Sequence, residues 1–227
     1  SPKAKVAVLY AADDDGADLL AGLRKGLGAP NAKRIVDAVP FDPAVDDVQA
    51  AVAQLKAAGA NTLALFVRAD AATQAAAAAA KLRWRPQLYL ASAAASSTRP
   101  VPQNAITAVV VRDPSTQKWA NDPGAKLGAR IVAKYAPRGG AADATVVAGL
   151  ASAYSFVDAL KAAGKSPTRE TLVKAMTSMR EASNPFLLPG IRVRTSATSR
   201  YPITQLGLQR RQSGRWVLFG GLQRARP

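Results

Sequence analysis

The chain has 227 residues, 48% hydrophobic and 20% charged, enough for one large domain or two small ones around real cores. Lys and Arg total 31 against 15 Asp and Glu, a formal charge of +16, and His and Cys are both absent. Without histidine the commonest general base and metal ligand is gone, and without cysteine so are disulfides and thiolate chemistry. No run of about 18 apolar residues occurs, so no membrane span is expected. No signal peptide precedes Ser1, and the abrupt opening at Ser1–Lys5 reads as a mature or truncated start.

Lys5–Tyr10 is a short aliphatic run of the kind found in buried parallel strands. Asp13–Gly16 follows as a turn rich in helix-capping acids. Leu19, Leu20, Leu23 and Leu27 then recur at helical spacing, and Gly28 with Pro30 ends that helix. Arg34–Val39 reads as a second strand closed by Pro40. Asp42 and Asp46–Asp47 precede a helix with the stripe Val48, Val52 and Leu55, ending at Gly59. Asn61–Val67 is a third strand, Ala71–Leu82 a helix on propensity alone, and Gln87–Ala91 a fourth strand after the break at Trp84–Pro86. Residues 5–91 therefore alternate strand and helix with short loops. That pattern predicts an α/β fold: a Rossmann-like parallel sheet flanked by helices, joined by right-handed crossovers.

Beyond that the style changes. Ala93–Pro102 reads as a linker, Ala105–Val111 as a fifth strand, and Asp113–Pro114 as the cap of a helix reaching about Tyr135. Pro137–Gly140 is a break. Thr145–Ala163 is a long helix with Val146, Leu150, Tyr154, Val157 and Leu160 along its apolar side, and Ser166–Glu170 caps another through Met179. Strands are expected at Gly190–Thr195, Tyr201–Gln209 and Arg215–Phe219, with a hairpin turn at Ser213–Gly214.

Enzyme chemistry finds little support. The turn Tyr10–Gly16 has no G-x-G-x-x-G, and its three acids would repel a pyrophosphate. There is no Walker A sequence, no G-x-S-x-G elbow and, without histidine, no Ser-His-Asp triad. Asp13, Asp14 and Asp15 lack EF-hand spacing, so no metal or other cofactor is expected. The basic residues are spread along the chain in short clusters at Arg83–Arg85, Arg192–Arg200 and Arg210–Arg215. That spacing fits a solvated basic surface better than a nucleic-acid interface.

The order of these pieces resembles the branched-chain amino-acid binding proteins of bacterial ABC importers, which are type 1 periplasmic solute-binding proteins. Four segments carry the likeness: Val6–Tyr10 with Asp13–Gly16 and Leu19–Leu23; Asp47 with Gln54–Gly59 and Asn61; Leu82–Trp84 with Pro86–Gln87; and Asn184–Gly190 with Arg200–Ile203 and Gly214–Trp216. The resemblance implies two α/β lobes joined by three crossovers, with a small-molecule ligand held in the cleft between them. Residues 1–100 would form the core of the second lobe and 101–183 a mainly helical returning segment of the first. Residues 184–227 would re-enter the second. The βαβ units with which the family's first lobe begins have no counterpart here, so the stripe of Thr145–Ala163 would be exposed unless that segment or a second copy covers it.

In this family ligand contacts sit at the C-terminal ends of strands. The resemblance thus singles out Asp15 before Gly16, Arg68 past the third strand and Ser92 past the fourth, with Tyr10 and Tyr154 as further cleft candidates. The expected ligand is a small amino-acid-like molecule or an organic or aromatic acid; Ser92 stands where amino-acid binders often carry an acid, and Arg68 offers a bidentate fork, which favours the organic or aromatic acid. Each residue also has a plainer reading. Asp13–Asp15 are good helix caps, Arg68 can be a solvated loop residue, and Ser92 can be a turn cap. Tyr10, Trp84, Tyr154, Trp119, Trp216 and Phe219 can all be packing residues. The implied function is a non-enzymatic extracytoplasmic receptor, periplasmic or membrane-anchored, that delivers its ligand to the permease of an ABC importer. A ligand-sensing domain of a receptor or regulator with the same fold is the alternative. A basic nucleic-acid binder is the third reading.

Overall fold

The computed structural model describes residues 3–95, 100–114, 116, 118–137 and 143–224. The chain forms two compact units. One comprises Ser1–Ala108 and Gln209–Val217, the other Val109–Leu208 and Leu218–Pro227. The divisions thus fall after Ala108, Leu208 and Val217, where the sequence style had suggested breaks near 100 and 184.

The first unit runs β1 (Val6–Ala11), α1 (Asp14–Leu27), α2 (Ala29–Ala32), β2 (Ile35–Phe41), α3 (Val48–Ala57), β3 (Thr62–Phe66), α4 (Ala69–Lys81) and β4 (Gln87–Leu90). A 3₁₀ turn at Ser92–Ala94 and strand β5 (Ile106–Val109) follow. β1 pairs in parallel with both β2 and β3, β3 with β4, and β4 with β5. This is the parallel α/β sheet that the alternating pattern predicts. The strand order is β2-β1-β3-β4-β5, followed by two later strands, β8 (Gln205–Gln212) and β9 (Arg215–Arg224).

Both faces of the sheet are buried, as parallel sheets require. Ala7 and Leu9 of β1 point with Leu63 and Leu65 of β3 into the layer formed by α3 and α4. Val6, Val8 and Ala64 point the other way, against Leu20 of α1. The period of two along each strand sorts these residues. Leu9, Leu55, Leu63 and Leu65 are fully enclosed, each stabilising the fold by about 1.5–3 kcal/mol relative to an exposed side chain. Ala71, Ala72, Ala75, Ala78 and Ala79 form the buried face of α4. β2 extends past Pro40 to Phe41; it is the outermost strand, where a residue without an N–H leaves no ladder bond unmade.

The second unit contains α5 (Pro123–Tyr135), α6 (Ala144–Ala162), α7 (Arg169–Met176), β6 (Arg180–Glu181) and β7 (Val193–Arg194). β6 and β7 form a separate antiparallel pair, and the sequence pattern gave no sign of β6. β8 (Gln205–Gln212) and β9 (Arg215–Arg224) each run from one unit into the other, longer or later than expected. Their turn holds Ser213 and Gly214 at φ of 46° and 76°, the pair of positive values a two-residue hairpin needs. Val109, Val111, Val147, Ala151, Phe186, Leu187, Leu188, Ile191 and Val193 make this unit's core.

Two helices differ from their sequence expectations. α5 begins at Pro123, not after Asp113–Pro114, because Asp122 provides the better cap: its carboxylate accepts from the N–H groups of Gly124 and Ala125. Arg112 holds it in place, donating from Nη1 to both carboxylate oxygens at 2.9 and 2.8 Å and from Nε to the Leu187 carbonyl at 2.7 Å. Burial pushes the Asp122 carboxyl up. The Arg112 hydrogen bond, the Gly124 and Ala125 N–H groups and the guanidinium charge outweigh that and hold it below its usual value. In α6 the buried positions are Val147, Ala151 and Ala159, a face rotated from the expected stripe. Buried Asn184 turns it, donating from Nδ2 to the Ala151 carbonyl and to Ser155 Oγ. Val157 and Leu160 remain 44% and 36% exposed.

The expected linker at Ala93–Pro102 is partly the 3₁₀ turn, and its residues 96–99 lie outside the described residues, as do residues 138–140 of the expected break. Among the described residues no helix is long and apolar enough to cross a membrane.

Candidate functional site

In the first unit the C-terminal ends of three neighbouring strands, β2, β1 and β3, open into one recess of about 350 Å³. Open α/β sheets place their sites at such strand ends, where the chain leaves the ladder and its polar groups are free to face a ligand. Ala11 ends β1 and Ala12 follows it, Phe41 ends β2, and Val67 follows β3. Phe41, Val67 and Ala71 are buried and give the recess an apolar floor.

Four charged residues line it: Asp13, Asp42, Arg68 and Asp70. Asp13 is held in position by its own capping role, its Oδ1 accepting from Gly16 N–H at 2.9 Å. Gly16 is obligatory there, because a Cβ at that position would overlap the Ala11 backbone carbonyl. Asp42 accepts from the Ala44 N–H at 2.9 Å, a local turn that fixes its side chain. Asp70 stands in the first turn of α4, where the helix dipole favours an acid. Arg68 is the N-cap residue of that helix, and its exposed guanidinium carries donors only. The recess therefore presents one cationic fork among three carboxylates. That set can hold a zwitterion, with a carboxylate on the fork and an ammonium against the acids.

Of the five residues singled out from sequence, only Arg68 lines the recess. Asp15 is exposed in the first turn of α1, and Ser92 is exposed at the start of the 3₁₀ turn. Tyr10 is half-buried and packs against the cluster of Val6, Val8, Leu20 and Ala64. Tyr154 belongs to the second unit, with its ring edge-on to Phe186 at 6.2 Å. From sequence Asp42 reads as a helix-capping residue, and Asp70 is not singled out. The signal that finds them is position alone, since each is among the first polar residues after a parallel strand. Among the described residues no group of three or more acids, histidines or cysteines is arranged to hold a metal ion.

The periplasmic binding protein family model matches residues 2–213. No curated protein matches the chain in sequence. Among solved structures, the chain is similar to a branched-chain amino acid ABC transporter protein from Thermus thermophilus with bound valine, at TM-score 0.81 and 19% identity, over 98% of this chain and 61% of that one. It is also similar to a substrate-binding periplasmic protein from Ralstonia solanacearum, at TM-score 0.73 and 22% identity, over 92% and 59%. A third is a fatty acid ABC transporter substrate-binding protein from Thermomonospora curvata, at TM-score 0.73 and 19% identity, over 98% and 58%. The chain thus spans about three fifths of the length of these structures. The family and these neighbours are solute-binding proteins and not enzymes. The chain belongs to the periplasmic binding protein family.

Proposed function

We propose that this chain serves as a non-enzymatic, extracytoplasmic solute receptor of an ABC importer, and that the recess at the ends of β2, β1 and β3 is the first unit's contribution to its ligand site. The ligand is a small amino-acid-like zwitterion. The observation that carries this is the placement of Arg68 among Asp13, Asp42 and Asp70. A plain organic or aromatic acid, the ligand favoured from sequence, would satisfy the fork but set its own negative charge beside Asp13, Asp42 and Asp70. The ligand-bound form would then be presented to the importer's permease, the ligand stabilising whichever conformation touches it best.

Calorimetric titration with valine, glutamate, benzoate and octanoate tests the reading. An amino acid should bind, and Arg68→Ala should weaken it by roughly tenfold to a hundredfold, the loss of one charge-assisted hydrogen-bonded contact. If benzoate or octanoate binds and neither amino acid does, the zwitterion assignment is wrong.

A further inference from the structure

The second unit carries a concentration of positive charge that the ligand reading leaves unused. Arg180 of β6 lies directly opposite Arg194 of β7 in the antiparallel register. Like charges facing each other across a ladder work against the pairing, so this arrangement does nothing for the fold. Arg192, two residues before Arg194, shares its side of the strand, and Arg224 ends β9. All four arginines are exposed and line one groove of about 770 Å³.

Among the described residues no carboxylate lines this groove. The neighbouring acid, Glu181, is turned inward, with both carboxylate oxygens enclosed and unbonded among the described residues. The remaining polar lining is mostly hydroxyl and amide, including Ser199, Thr204 and Gln205, while the Thr195 hydroxyl is already donated to the Met176 carbonyl. Arginine forks and hydroxyl donors match phosphate oxygens, which accept in several directions at once. Beside the cations stand two apolar groups in contact with solvent: Tyr201, 77% exposed, and Leu222, 37% exposed. A ring with a polar tip next to arginines suits the boundary between lipid headgroups and acyl chains. Stacking along a single-stranded nucleic acid needs a row of aromatics, and among the described residues Tyr201 is the one aromatic lining the groove.

We infer that the groove formed by Arg180, Arg192, Arg194 and Arg224 is a docking surface for an anionic phospholipid membrane, with Tyr201 entering the headgroup layer. It keeps the protein at the membrane face by charge, independently of any ligand in the first unit.

The test is co-sedimentation of the chain with vesicles of phosphatidylcholine alone and of phosphatidylcholine mixed equally with phosphatidylglycerol. Binding is expected only to the mixed vesicles and should weaken as salt rises. The variant Arg180→Gln/Arg194→Gln should bind roughly 25-fold more weakly, about fivefold for each arginine removed from an anionic surface. Its thermal midpoint should not fall, because the substitution relieves a like-charge pair. Lys81→Gln/Arg85→Gln, in the first unit, removes the same charge elsewhere and should change binding far less. Equal losses in the two variants would mean that only net charge matters and would overturn the inference. So would stronger binding to oligothymidylate than to the mixed vesicles, or no vesicle binding at all. Tyr201→Trp keeps every arginine and gives an independent readout. Its emission should shift to the blue on mixed vesicles, and an unmoved spectrum would remove Tyr201 from the contact and refute the docking geometry.

Discussion

Replacing Asp122 by alanine should be among the more damaging single changes outside the apolar cores, and the structure allows its size to be worked out. Two contributions are lost. The cap on α5, made through Gly124 and Ala125 N–H, is worth about 1 kcal/mol. The paired hydrogen bonds to Arg112 are charged, and the guanidinium side chain is only 20% exposed, so leaving it without its partner costs about 1.5–3 kcal/mol. The sum is about 2.5–4 kcal/mol, or roughly 5–16 °C in Tm for a chain of this size. Urea unfolding followed by tryptophan emission is a suitable assay, because Trp119 lies 5.5 Å from the Arg112 guanidinium. Asp122→Asn keeps a good cap but not the charge, and should lose about 1 kcal/mol less than the alanine variant. The pH dependence gives a second check. The folded carboxyl sits below its usual value, so its stabilising effect is complete above the unfolded pKa of about 3.9 and is lost as pH falls through the lowered folded value. The gap between the parent chain and Asp122→Ala should therefore be constant near neutrality and close in acid. A loss under 1 kcal/mol, identical losses for the two variants, or a gap that widens in acid would refute the reasoning.

Three further outcomes can be checked by the same unfolding measurement. Leu55→Ala, at a fully enclosed position between α3 and the sheet, should cost about 2–5 kcal/mol. Gly16→Ala should cost about 1–3 kcal/mol and also weaken ligand binding, since the new Cβ must push α1 and its cap Asp13 away from the Ala11 carbonyl. Asn184→Leu should cost about 1–3 kcal/mol despite being more apolar, because the buried Phe186 N–H loses its acceptor and the Ala151 carbonyl and Ser155 Oγ lose the amide that joins them to this segment.

The first unit was almost wholly legible in the sequence because its information is local. Each strand is a short apolar run, and α1 and α3 carry their own caps in Asp13 and Asp47. The second unit was less so. Asp113–Pro114 and Asp122–Pro123 present the same start signal, and the choice between them rests on Arg112, whose guanidinium reaches both Asp122 and the Leu187 carbonyl. The buried face of α6 is likewise set by Asn184, about thirty residues downstream of its partners. At the candidate site, Arg68 could be found by its place after a strand. Asp42 and Asp70 could not be told from ordinary turn and helix acids, because an acid after a parallel strand serves equally well as a cap or as a ligand contact.

The alanine face of α4 has a consequence for how this layer came to be ordered and how it can vary. Alanine has no rotamers to lose, so fixing Ala71, Ala72, Ala75, Ala78 and Ala79 costs backbone entropy alone. Short side chains also bring the helix backbone close to the strands beneath it, leaving little room for an added methylene. What reads in the sequence as a monotonous stretch is thus a narrow dimensional tolerance. Variation there should be confined to glycine and serine on the inner face, while the outward residues, Lys81 among them, are free to drift.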